Sequence, residues 1–222
     1  MQYLYHAEAS NPILELFGDE HRYIFKVRRH RVGETISLRN LNDDLLYSYL
    51  IASMDKKTAT LRLIEQKELR VSASKKLHIA WCIIEPKNIE KVLPTLNEIG
   101  ISKISFIYCS RSQKQFKVDL ERLQKIILNS SQQSGRSDIM EFDIIDSLEH
   151  FMEINPQSYL LNFSKRKLGL GSDIETIVIG CEGGLRDDEL RLFGEQKVVG
   201  LNTPMILKSE SAVCAVASKL LV

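Results

Sequence analysis

The chain has little that would tie it to a membrane, a metal or a standard nucleotide site. No apolar run approaches the ~20 residues that span a bilayer, and the opening Met1-Gln2-Tyr3-Leu4-Tyr5-His6 lacks the basic and apolar regions of a secretion signal. A cytoplasmic protein without membrane association is the expectation. Only four cysteines occur, Cys82, Cys109, Cys181 and Cys214. None is spaced for zinc or redox chemistry, so buried reduced thiols and no metal are expected. No Gly-x-x-x-x-Gly-Lys-Ser/Thr segment is present, which argues against a P-loop ATPase or kinase. Gly169-Leu170-Gly171 precedes an apolar run instead of following one, so it is not a dinucleotide fingerprint. An excess of one charge is lacking too: 30 Lys and Arg against 29 Asp and Glu leave a net charge of +1.

The charge that is there is unevenly placed. Arg22, Lys26, Arg28, Arg29 and Arg31 crowd together with His21 and His30, and smaller basic groups occur at Arg111, Lys114 and Lys117 and at Lys165, Arg166 and Lys167. Local field steers a nucleic acid more than net charge does, so the first cluster points to RNA. Around it, residues 1–64 carry short strand-like runs at 3–5, 35–39, 45–52 and 58–64, separated by turn signals such as Asn42-Asp43-Asp44. Asp19 reads as the cap of a helix that puts Tyr23, Ile24 and Val27 on one side and ends near Gly33. The expected unit is a small, mainly antiparallel barrel with one helix. Residues 65–76 are polar and mark a boundary, giving domains at 1–70 and 71–222.

From Leu77 the texture changes. Residues 77–84 are almost continuously apolar, as a strand buried on both faces should be. Pro86 suits a helix start, Ile89, Val92, Leu93, Leu96 and Ile99 follow helical spacing, and Gly100 is a stop, with Pro94 a possible kink. Strands at 102–108, 139–145, 158–162, 174–179 and 197–201 alternate with helices, which implies a mostly parallel sheet covered on both faces. His78, in an apolar strand, reads as structural. The last helix, from about Ser209, is apolar nearly all round, so it packs either within one subunit or also against a second.

Two strand-end loops carry the chemistry. Thr176-Ile177-Val178-Ile179 runs into Gly180-Cys181-Glu182-Gly183-Gly184, where glycines let the backbone approach a ligand, and Asp187 or Asp188 is placed to cap a helix over 189–193. The second loop leads into Ile206-Leu207-Lys208-Ser209-Glu210-Ser211-Ala212. Together they suit an adenosine-bearing cofactor held above the carboxyl edge of the sheet.

Five stretches in this order resemble a known family: His21 to Arg29 with Gly33-Glu34; Glu98-Ile99-Gly100-Ile101; Gln133-Ser134-Gly135-Arg136; residues 179–184; and residues 206–212. The chain resembles, over almost its whole length, the 16S ribosomal RNA (uracil-N3) methyltransferases, the RsmE group of the SPOUT class. The resemblance implies a PUA-like RNA-binding barrel, then an α/β domain threaded as a trefoil knot, with S-adenosylmethionine bent inside it and a homodimer completing the site. Carried over by motif, the cofactor residues are Gly180, Glu182, Gly183, Gly184, Leu201, Ile206 and Leu207, with Leu161 and Asn162 from an earlier strand end. Lys208 and Arg136 are the candidates to stabilise negative charge on the uracil, and Glu210, then Glu182, to take its N3 proton. Glu210 has the alternative role of steadying a helix N-terminus. The chain departs from the family at Cys181, where Pro is common, at residues 202–208, where a Gly and an Arg are lost and a second Arg is Lys208, and at Gln132 in place of Glu. The competing readings are a knotted methyltransferase of a ribose 2′-hydroxyl and an inactive ribosome-assembly RNA-binding protein.

Overall fold

The computed structural model describes residues 2–170 and 172–222. It divides into two compact units: one runs to Ser72 and takes in Ser131–Ile139, the other comprises Ala73–Ser130 and Met140–Val222.

The first unit is built on β1 (Leu4–Tyr5), β2 (Ile13–Phe17), α1 (Gly18–His21), a π-helical turn at Arg22–Val27, β3 (Thr35–Arg39), β4 (Leu45–Met54) and β5 (Thr58–Glu68). The sheet order is β1-β3-β4-β5-β2, with β1 parallel to β3 and the other pairs antiparallel. Alternate side chains point inward, so Leu14, Leu16, Ile36, Leu38, Tyr49, Ile51 and Leu61 form the core with Ile24. Three sequence expectations change here. Strand β2 carries apolar residues on both faces, Leu14 and Leu16 buried but Ile13 and Phe17 exposed, and so lacks the alternation that announces a strand. Residues 65–68, read as part of a boundary, extend β5 opposite residues 45–48; ladder hydrogen bonds need no apolar side chains.

The helix also differs. It begins at Gly18 after an extended Phe17, with Asp19 in its first turn instead of at the cap. From Arg22 it widens: the Arg28 N–H donates to the Tyr23 carbonyl (2.9 Å), a five-residue spacing, and Arg29 at φ 62° ends the turn well before Gly33. The 3.6-residue stripe is thereby lost, so Ile24 is buried while Val27 is 61% exposed. Arg28 folds back, its guanidinium donating to the Tyr23 hydroxyl from Nε (3.1 Å) and Nη2 (2.9 Å).

The second unit runs β6 (His78–Cys82), α2 (Pro86–Ile99), β7 (Lys103–Ile107), α3 (Leu120–Ser134, of which the last four residues count with the first unit), β8 (Glu141–Ile145), α4 (Leu148–Ile154), β9 (Tyr159–Leu161), β10 (Thr176–Ile179), α5 (Asp187–Leu190), β11 (Val198–Val199) and α6 (Ser209–Leu221). Its six strands are all parallel, in the order β11-β9-β10-β6-β7-β8. Ile79, Trp81, Ile104, Phe106, Ile177 and Val178 are fully buried, as strands covered on both faces require. Pro94 does not end α2; Leu93 and Leu96, both at 0% exposure, tie the two halves to one core, and Gly100 in the left-handed region (φ 104°) closes it. On α6, Ala212, Val213, Val216, Ala217 and Leu220 are buried within this one chain, against α2 and β10, whereas Ser211 and Ser218 are exposed. No helix among the described residues is long and apolar enough to cross a membrane.

His78 has a structural environment. Its ring meets Phe151 edge-on at 5.7 Å and its Nε2 lies 2.7 Å from the Ser105 hydroxyl. Burial, then the charge of Lys103, lowers its pKa from 6.5 to about 4. Between those values the unfolded chain binds a proton that the folded chain refuses, so stability falls as pH drops through that window and levels off below it. His78→Gln should remove a pH-dependent loss of up to ~3 kcal/mol over the whole window, of which ~2 kcal/mol falls between pH 7 and pH 5, read as a smaller difference between denaturant midpoints at those two pH values than in the parent.

Candidate active site

Between β6 and β10 the sheet changes direction: the chain builds outward through β7 and β8 on one side and through β9 and β11 on the other. Such a switch point opens a crevice at the carboxyl ends of the strands. Beside it, at the carboxyl ends of β9, β10 and β11, lies a cavity of about 870 Å³. Three loops wall it: residues 161–167 after β9, 179–184 after β10, and 200–209 after β11, with Ala212 of α6 behind.

The loops after β9 and β11 are knitted together by backbone. The Asn162 N–H donates to Val199 O (2.9 Å), Gly200 N–H to Arg166 O (2.9 Å) and Leu168 N–H to Gly200 O (2.8 Å). Only glycine fits at 200, since a Cβ there would lie 2.9 Å from the Ser164 carbonyl oxygen and 3.0 Å from its nitrogen. The loop after β10 turns tightly, with the Gly184 N–H donating to Cys181 O (2.9 Å) and Gly184 at φ 70°. Its first carbonyl, Gly180 O, accepts from Ser209 Oγ (2.6 Å), and Ser209 Oγ accepts from the buried Trp81 indole (2.8 Å). One hydroxyl thus joins β6, the β10 loop and the start of α6.

A second brace comes from the loop after β7. Glu189, 1% exposed, accepts the Ser110 N–H on Oε1 (2.7 Å) and the Arg186 N–H on Oε2 (2.8 Å). Arg111 Nη1 donates to Gly183 O (2.6 Å). The short helix therefore starts after Arg186 and not at an Asp cap; Asp188 is an exposed partner of Arg186 (3.3 Å). The informative acid was Glu189, three residues beyond the start, where a carboxylate closes back on the first N–H.

Of the residues singled out from sequence, Leu161, Asn162, Gly180, Glu182, Gly184, Leu201, Ile206, Leu207 and Lys208 all line the cavity. Gly183 does not; its carbonyl is turned to Arg111. Glu210 lies in the first turn of α6, outside the lining, with Oε2 buried and without a hydrogen-bond partner. Its charge, after burial, helps raise the Cys214 thiol above its ordinary value. Arg136 falls in the first unit, 5% exposed, with Nε on Asp138 (2.5 Å) and its carbonyl accepting from Tyr3 (2.8 Å). Arg22, Lys26, Arg28, Arg29 and Arg31 are all exposed along the π turn and the segment after it, while His21 is buried with Nε2 3.2 Å from Asp55 O.

Sequence reasoning missed Phe163, Lys165, Lys167, Gly200, Met205 and Ser209 as lining residues. It also missed that three of the four cysteines converge. Cys82, Cys109 and Cys181 sit at or just beyond the carboxyl ends of β6, β7 and β10, so the sheet order gathers them. Cys109 Sγ lies 3.6 Å from Cys181 Sγ and 3.1 Å from Ser112 Oγ. Hydrogen bonds from Cys181, Cys82 and Ser112 hold Cys109 well below the ordinary thiol range, and the same contact pushes Cys181 up.

Comparison with known proteins agrees with this arrangement. Residues 71–221 match the model of an RNA methyltransferase domain, and residues 18–64 that of an RNA methyltransferase PUA domain. A ribosomal RNA small subunit methyltransferase E of Helicobacter pylori is 39% identical over 222 residues, covering 98% of each chain. Its counterpart in Rickettsia conorii is 26% identical, covering 94% of this chain and 90% of the relative. Among solved structures, a putative methyltransferase of Legionella pneumophila in complex with bound S-adenosylmethionine has a TM-score of 0.83 at 24% identity, covering 99% of this chain and 96% of that one. A ribosomal RNA small subunit methyltransferase E of Neisseria gonorrhoeae, bound to S-adenosylmethionine, has a TM-score of 0.79 at 19% identity, with coverage of 98% and 95%. The chain belongs to the RNA methyltransferase family whose members include the ribosomal RNA small subunit methyltransferases E.

Proposed function

We propose that this chain binds S-adenosylmethionine in the cavity at the ends of β9, β10 and β11 and methylates N3 of a uridine in small-subunit ribosomal RNA. The observation that carries the reading is the cavity itself. Its volume of about 870 Å³ is within the range of small-molecule sites. Its walls combine backbone and aliphatic side chains, Leu161, Leu201, Ile206 and Leu207, with one carboxylate, Glu182, and three ammonium groups, Lys165, Lys167 and Lys208. Gly200 allows two backbones to meet at a distance no side chain permits. That donor set suits an adenosine with a charged amino-acid tail better than a metal.

The cofactor supplies an electrophilic methyl on a sulfonium. The protein must orient the base, remove the N3 proton and stabilise the anion spread over the flanking carbonyls. Lys208, exposed at the cavity and immediately before α6, is the cation placed for those carbonyls. We assign the proton-accepting role to Glu182, which lines the cavity, in preference to Glu210, which does not. Arg136 takes no part in this assignment. The resemblance supports a trefoil thread through these loops, a homodimer that covers the exposed Phe163, Met205 and Ile206, and a cytoplasmic site of action.

Nucleoside mass spectrometry of small-subunit RNA after incubation with the protein and S-adenosylmethionine tests the reading. N3-methyluridine is expected; a 2′-O-methylated nucleoside would transfer the reading to the ribose, and no methylation would leave an RNA-binding protein.

An N-terminal RNA-binding domain, residues 1–70 in this proposal, supplies RNA affinity through its exposed basic turn. Replacing Arg22, Lys26 and Arg29 together by Ala should weaken RNA binding and lower the slope of log K against log salt by up to about 2–3. S-adenosylmethionine affinity should not change. An unaltered salt slope would remove the turn from the RNA interface.

A further inference from the structure

Three thiols brought together beside a cavity ask for an explanation that packing alone does not give. Cys181 belongs to the loop after β10 and lines the cavity; Cys109 belongs to the loop after β7 and lies behind it. Their exposures are 7% and 4%, and their sulfurs are 3.6 Å apart. A disulfide needs the sulfurs at about 2.05 Å, so the two loops have only about 1.5 Å to close. The loops are already braced against each other by Ser110 on Glu189 and Arg111 on Gly183. Cys82 is fully buried under this pair, and Cys214 lies on α6.

We propose that Cys109 and Cys181 form an oxidation site that takes a hydroperoxide, closes to a disulfide and draws the loop of residues 180–184 away from the cavity. Cys181, which lines the cavity, is the member of the pair that a molecule as small as hydrogen peroxide reaches from it. One thiol of the pair, as its thiolate, attacks one peroxide oxygen: an S–O bond forms, the O–O bond breaks, and the departing hydroxide takes the other thiol's proton to leave as water. The second sulfur then attacks the first, the S–S bond forms and hydroxide leaves, taking a proton from solvent. The peroxide is reduced and the two sulfurs are oxidised. Dithiols reverse the reaction by exchange.

The closure should matter because Gly180 O is fixed by Ser209 on the far side. Pulling Cys181 toward Cys109 strains the peptide next to that hydrogen bond and moves the wall that Glu182 and Gly184 form. The disulfide stands on the sulfur geometry; its effect on binding rests on the reading that the cavity holds S-adenosylmethionine.

The test treats the full chain with hydrogen peroxide, maps peptides without reduction, and measures S-adenosylmethionine affinity before oxidation, after it, and after dithiothreitol. A Cys109–Cys181 linked peptide is expected, with affinity lowered about tenfold or more, the equivalent of one lost hydrogen bond, and restored by the dithiol. Cys109→Ser should bind the cofactor and ignore peroxide. A Cys82–Cys109 link, sulfinic acid on either residue, or no link would overturn the proposal, and so would a link that leaves affinity unchanged. Failure of the reduced chain to bind S-adenosylmethionine would instead sink the functional reading, while the peptide map would still decide the disulfide.

Discussion

Gly200→Val should lower S-adenosylmethionine affinity by about a hundredfold, more than any other single change in the three loops. The added Cβ meets the Ser164 oxygen at 2.9 Å, the Ser164 nitrogen at 3.0 Å and the Asn162 oxygen at 3.1 Å, all backbone atoms. None can swing aside as the end of a side chain can. The loops after β9 and β11 must part, which breaks the Gly200 N–H bond to Arg166 O and the Leu168 N–H bond to Gly200 O. Two lost hydrogen bonds account for ~1–3 kcal/mol, and the walls that touch the ligand move with them. Strand β11 is a two-residue edge strand, so unfolding should stay cooperative. Gly183→Val is the contrast. Its Cβ would meet Arg111 Cβ at 3.3 Å and Cδ at 3.4 Å, contacts relieved by a shift of a few tenths of an ångström, so affinity should change by a fewfold at most. Calorimetric titration of the two variants side by side checks both statements; equal losses would mean that the cavity is not the site.

Lys208→Ala should leave cofactor and RNA bound and slow methyl transfer at saturation by about 10²–10³-fold, or ~2.7–4 kcal/mol, if Lys208 acts as a donor to the developing uracil anion. Lys208→Arg should recover part of the rate, since charge is kept but the compact ammonium becomes a planar fork. Single-turnover transfer separates this from a binding defect. A near-normal rate in Lys208→Ala would dismiss it as a catalytic residue and return the role to another cation of the cavity mouth, Lys165 or Lys167.

How much of this was legible in the sequence depends on whether the signal is local. Residues 180–184 and 206–208 announce themselves because glycines end a β-branched run and an apolar pair precedes a helix. The six-strand parallel sheet follows from apolar runs alternating with helices. The loop after β9 gives no such sign: Tyr159–Leu161 is a three-residue strand, and Phe163 to Lys167 matter only because β9 lies between β10 and β11. The same holds for the cysteines, separated in sequence yet gathered at three strand ends. Strand β2 hid because it is apolar on both faces, and the π turn hid because side-chain periodicity assumes α-helical winding. Glu189 was overlooked for Asp187 and Asp188, which are exposed; a buried carboxylate satisfied by two backbone N–H groups is visible only once the loop after β7 is in place.

The central claim, that three strand-end loops hold the methyl donor, is tested most directly by hydrogen exchange of the full chain with and without S-adenosylmethionine. Added protection is expected within residues 161–168, 179–186 and 200–209, with the π turn at Arg22–Val27 unchanged. Binding that protects none of these segments, or protects the basic turn instead, would contradict it.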